Sequence, residues 1–112
     1  MNPKLVLEAK SELGEGPSWD SRKGVLYWVD IFRGLVHVYD PDKSEDRVVQ
    51  AGHYVSSVVP RKSGGIAITL QHGFYRLNLE EGKPSLLAGV EENLARNRFN
   101  DGKCDPAGRF WA

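Results

Sequence analysis

The sequence is poor in several things, and each shortage narrows what the chain can be. It has one cysteine, Cys104, so no disulfide can form within the chain, and a reducing compartment, the cytoplasm, is the expected setting. It has no apolar run approaching the ~18 residues of a membrane helix, so no membrane partner is expected. Leu5-Val6-Leu7, between Lys4 and Lys10, is too brief even for the apolar core of a signal peptide. Charge of one sign is also missing. With 15 Lys and Arg against 15 Asp and Glu, the chain lacks the excess positive charge that attracts nucleic acid or anionic lipid. A small molecule or another protein is left as the expected partner. At 112 residues the chain holds one domain at most.

A sustained helical period is the last absence, and short apolar segments stand in its place. Strands are expected over residues 5–8, 17–20, 25–30, 35–39, 47–50, 55–60, 66–70, 74–79, 85–88, 102–105 and 109–112. They are rich in Val, Ile, Tyr, Trp and Phe, and they are bounded by Gly, Pro, Asp and Ser. Residues 90–98 have room for a helical turn but read as a loop. The expected fold class is all-β.

These strands repeat. Trp19-Asp20-Ser21-Arg22-Lys23-Gly24-Val25-Leu26-Tyr27-Trp28 is a strand end, a polar turn closing on glycine, and an apolar strand. The same phrase returns as Pro60-Arg61-Lys62-Ser63-Gly64-Gly65-Ile66-Ala67-Ile68-Thr69, and again from Asp105 through Gly108 to Trp111. The turn glycines Gly24, Gly65 and Gly108 lie 41 and then 43 residues apart. Four strands per unit of about forty residues is the spacing of a β-propeller blade. A β-sandwich with evenly spaced hairpins gives a similar rhythm. On the propeller reading the chain holds two full blades and the start of a third, breaking off in that blade's second strand.

In a propeller the innermost strands line a central channel. Stepping back nine residues from each turn glycine reaches Glu15, Ser56 and Phe99, with Ser57 and Asn100-Asp101 alongside. Carboxylate and amide oxygens converging from different blades suit a hard divalent cation; they equally suit the wall of a wet channel. The run from Arg96 to Lys103 is the densest polar cluster, and Arg98 in it can reach over the channel mouth to a polar substrate. A solvated loop turning at Asp101-Gly102 has the same composition. Gly14-Glu15-Gly16 begins like a dinucleotide fingerprint, but Pro17 follows and no third glycine does. Asp40-Pro41-Asp42-Lys43-Ser44 begins like a calcium loop, but Glu45 stands where glycine belongs. His37, His53 and His72 share no ligand spacing, and Cys104 is expected as a small buried residue of an inner strand.

Taken together, Leu13-Gly14-Glu15-Gly16-Pro17-Ser18-Trp19-Asp20, Leu26-Tyr27-Trp28-Val29-Asp30-Ile31, Val55-Ser56-Ser57-Val58 and Asn97-Arg98-Phe99-Asn100-Asp101-Gly102-Lys103-Cys104-Asp105-Pro106-Ala107-Gly108-Arg109 resemble the regucalcin (senescence marker protein) and gluconolactonase family, in its order and over essentially the whole chain. The resemblance implies the amino-terminal two-and-a-third blades of a six-bladed β-propeller. Its channel would hold one divalent metal (calcium, zinc or manganese), and its activity would be hydrolysis of a sugar lactone or related ester. By the same resemblance Glu15 is a metal ligand, and Arg98 and Asn100 contact substrate. The remaining ligands and the general base would lie beyond Ala112, so no catalytic residue is expected within the chain, which by itself would be inactive. The resemblance is equally compatible with a calcium-binding regulatory propeller without turnover, or with a truncated product lacking independent function. Apolar residues of the inter-blade faces, among them Leu26, Trp28, Ile66, Ile68, Phe110 and Trp111, would be uncovered and would favour self-association or pairing with the missing blades.

Overall fold

In the computed structural model, which describes residues 1–112, β1 (Gly14–Asp20), β2 (Val25–Asp30), β3 (Leu35–Asp40) and β4 (Glu45–Gln50) form an antiparallel meander in chain order. A second meander repeats it with β5 (Ser57–Pro60), β6 (Ile66–Leu70), β7 (Gly73–Asn78) and β8 (Lys83–Gly89), and a hairpin of β9 (Lys103–Cys104) and β10 (Phe110–Trp111) begins a third. There is no helix, and residues 90–98 form a loop as expected. The all-β class and its blade rhythm are borne out.

The turns are encoded by an acceptor at the strand end and a left-handed residue four positions later. Asp20 Oδ1 accepts the amides of Arg22 and Lys23, Asp40 Oδ1 those of Asp42 and Lys43, and Asn78 Oδ1 those of Glu80 and Glu81. The left-handed positions are Gly24 (φ 65°), Ser44 (φ 52°) and Gly82 (φ 67°). Two of the three use glycine, which bears that conformation without a Cβ penalty.

The core lies between the first two meanders. Tyr27, Val29, Val36 and Val49 of the first pack with Val58, Ile66, Ile68 and Leu77 of the second. All five residues of β6 are buried because both faces of that strand are covered. This corrects one expectation: Ile66 and Ile68 are fully buried, since theirs is the face that the first meander occupies. Trp111 of β10 is exposed as expected, and Leu86 and Leu87 of β8 are among the other large apolar side chains left in water. Leu26, Trp28 and Phe110 are half-buried.

The strand expected at residues 5–8 is also absent. Leu5, Val6 and Leu7 line an open groove with Trp19, Leu26 and Trp28, side chains of the first meander's sheet face, and their backbone pairs with no strand.

The first strands of the three units, β1, β5 and β9, belong to three different sheets yet run side by side. A Cβ on Gly16 would sit 3.5 Å from the Ser56 carbonyl, and a Cβ on Gly102 would sit 2.7 Å from Ser57 Oγ. Adjacent inner strands in separate sheets are the arrangement of blades around an axis, not of a two-sheet sandwich.

Candidate functional site

Glu15 sits at the head of β1, opposite Val29, at the edge of a β-bulge that runs to Ser18. The bulge follows from the sequence: Gly16 takes a left-handed φ of 59° and Pro17 has no amide to give to a ladder. Glu15 is exposed, and its carboxylate makes no hydrogen bond or ion pair. Its backbone is paired to β2 through Val29, and the chain entering the strand is fixed by Asp30. That buried carboxylate accepts the amides of Glu12 (2.9 Å) and Leu13 (3.1 Å), just ahead of the strand. Burial pushes the Asp30 pKa up, but the backbone amides of Glu12, Leu13 and Arg33 and the Arg33 guanidinium outweigh it, leaving the carboxyl below its ordinary range.

Residues 16–19, 58–60 and 102–104 line a groove of ≈ 360 Å³ along the three inner strands. Ser56 and Ser57, expected beside Glu15 at its mouth, do not face it. Both are fully buried, and their hydroxyls share Thr69 Oγ1 at 2.8 and 2.5 Å, so their oxygens are spent on the interior. Cys104, expected to be buried, is exposed on the groove wall because β9 pairs only with β10.

The loop between β8 and β9 carries Arg98 and Asn100. It is tied to the β6–β7 turn: Gln71 Nε2 donates to the carbonyls of Ala95 (2.9 Å) and Asn97 (3.3 Å), and the Val90 amide to His72 O (2.8 Å). Phe99 packs edge-on against Phe74, which packs in the same way against Phe110. Arg98 Nη1 donates to the Phe99 carbonyl (2.8 Å) and, at 3.5 Å, to Asn100 Oδ1, while its Cζ lies 5.9 Å from the centroid of Phe32. Gln71, Glu91, Arg98, Asn100, Asp101 and Ala112 line a cavity of ≈ 390 Å³ here.

Of the three expected site residues, Arg98 and Asn100 are therefore in contact and share a cavity, and Glu15 does not line it. No three His, Cys, Asp or Glu side chains gather as a metal site within these residues. No helix is long and apolar enough to cross a membrane. Sequence reasoning missed Asp30, Gln71 and Phe32. Asp30 had a signal, a charge closing an apolar strand, whereas Gln71 and Phe32 had none.

Residues 13–112 match the family described as SMP-30/Gluconolactonase/LRE-like region. The chain belongs to this family. Among relatives of the SMP-30/gluconolactonase family, regucalcin of Xenopus laevis is 39% identical over 109 residues, which cover 97% of this chain and 36% of that protein. The 6-deoxy-6-sulfogluconolactonase of Pseudomonas putida is 38% identical over 109 residues, covering 97% of this chain and 38% of that protein. The crystal structure of a calcium-binding protein, regucalcin, from Agrobacterium tumefaciens superposes with a TM-score of 0.89 at 26% identity, covering 96% of this chain and 36% of that one. The chain thus spans little more than a third of the length of the family members it matches.

Proposed function

We propose that this chain is the amino-terminal part of a divalent-metal-dependent sugar lactonase, to which it contributes one metal ligand, Glu15, and a substrate clamp, Arg98 and Asn100. The observation that carries this reading is an exposed, unpartnered carboxylate, Glu15, on the inner strand β1, together with a guanidinium free of any ion pair, Arg98, in the loop that leads into the inner strand β9. The similarity to a sulfogluconolactonase supports a sugar lactone, or a related ester, as substrate.

Glu15 fits a hard cation as one oxygen ligand, and its lack of any competing partner leaves both oxygens available. Such a cation, calcium, zinc or manganese, would polarise the lactone carbonyl. One carboxylate does not hold it tightly, so the other ligands must come from elsewhere in the complete ring, the chain continued to the length of its relatives. Arg98 presents its remaining N–H donors to sugar hydroxyls and ring oxygen, and Asn100 offers both a donor and an acceptor. The chain alone therefore lacks turnover. A cytoplasmic setting agrees with its single unpaired cysteine.

A second reading, a calcium-binding regulatory propeller without turnover, shares Glu15 and draws on the calcium-binding regucalcin structure. Lactone hydrolysis separates the two. The complete ring should open a sugar lactone in a manner abolished by chelation, and residues 1–112 alone should not. A complete ring that binds calcium but never opens a lactone would leave only the second reading.

A further inference from the structure

We propose that Phe32 is a positioning residue for the substrate clamp, its ring face holding the Arg98 guanidinium where it meets the sugar; this rests on the lactonase reading above. Phe32 lies in the β2–β3 turn and is 45% exposed, so burial does not account for an aromatic ring there. The turn itself is rigid. Ile31 is fully buried, its amide donates to Leu13 O, the Gly34 amide donates to Ile31 O, and a Cβ on Gly34 would strike the Gly52 carbonyl at 2.8 Å. The ring is braced by Tyr54, edge-on at 6.1 Å between centroids. Its remaining aromatic-face partner is the Arg98 guanidinium, contributed by the other meander's exit loop.

Arg98 needs such a seat. It forms no ion pair, although Glu91 and Asp101 line the same cavity, and its one short hydrogen bond goes to its neighbour's carbonyl. A long, exposed, unpaired side chain samples many rotamers, and ordering it on substrate binding costs entropy. A guanidinium lying over an aromatic face is restrained in plane yet keeps its edge N–H donors directed outward, so the restraint costs no substrate hydrogen bond. Leucine at position 32 would keep the apolar bulk without the ring's negative face.

The test compares Phe32→Leu, Phe32→Tyr and Arg98→Ala in the complete ring, reading lactone kinetics together with the Arg98 side-chain Nε–Hε resonance. Phe32→Leu should raise KM about two- to fivefold with kcat unchanged. It should also abolish the ring-current displacement of the Arg98 signal, and Phe32→Tyr should restore both. An Arg98 resonance that stays in place in Phe32→Leu overturns the inference. So does a raised KM in Arg98→Ala without one in Phe32→Leu. An Arg98→Ala enzyme with unchanged KM overturns the clamp reading beneath it, whatever the resonance shows.

Discussion

Asp30 anchors Leu13, whose amide and carbonyl are both bonded to the end of β2 and the residue after it. The Asp30 carboxylate accepts the Leu13 amide at 3.1 Å, and the next residue of Asp30's strand end, Ile31, donates to the Leu13 carbonyl at 3.0 Å. The path into β1, and with it the placement of Glu15, is thus set by a buried acid on β2.

That acid makes the latch pH-dependent. The Asp30 pKa is lowered in the folded chain, so its contribution is complete above the ordinary carboxylate pKa of about 3.9 and is lost as pH falls through the folded value. Asp30→Asn should lower stability at pH 7 by about 1–3 kcal/mol, because the amide presents a donor to amides that need an acceptor. The acid limb of the stability curve should flatten in the variant. Urea titrations from pH 7 down to pH 2.5 measure both effects.

Ser44 occupies the left-handed position that Gly24 and Gly82 fill in the equivalent turns. Ser44→Gly should raise stability by about 0.5–1 kcal/mol, because relief of the Cβ strain exceeds the added freedom of the unfolded chain. Gly82→Ser should do the reverse. Thermal unfolding of the pair checks the sign directly.

Gln71 ties the Arg98 loop to the β6–β7 turn through two carbonyls. Gln71→Leu should speed amide hydrogen exchange across residues 94–98 severalfold and leave β6 protected, because the bonds lost are at the surface.

Much of this was legible in advance, and the misses have physical causes. The blade rhythm came through because turn glycines and strand-end acids are local requirements, which a single sequence records. Ile66 and Ile68 read from sequence as residues of an open face because alternation identifies an apolar face without saying which neighbour covers it. Ser56 and Ser57 looked like channel oxygens by their offset from Gly65, yet the hydroxyl of Thr69, twelve residues on from Ser57, claims them. Residues 5–8 have strand composition, but a strand also needs a partner edge, which composition does not encode. The seating of Arg98 on Phe32 joins residues from two meanders and left no trace in the spacing.

Leu86, Leu87 and Trp111 expose more than half of their surface. The isolated chain should therefore associate in a concentration-dependent way. Leu87→Lys should shift it toward monomer in size-exclusion chromatography without altering the β-sheet circular dichroism signal.

The role of Glu15 is tested most directly by calorimetric titration of calcium and zinc into the complete ring carrying Glu15→Gln, which removes the charge at nearly constant shape. Loss of a negatively charged oxygen ligand should weaken binding at least a hundredfold. Unchanged metal affinity in Glu15→Gln would contradict the assignment of Glu15 as a ligand and, with it, the reading of this chain as part of a metal-dependent lactonase.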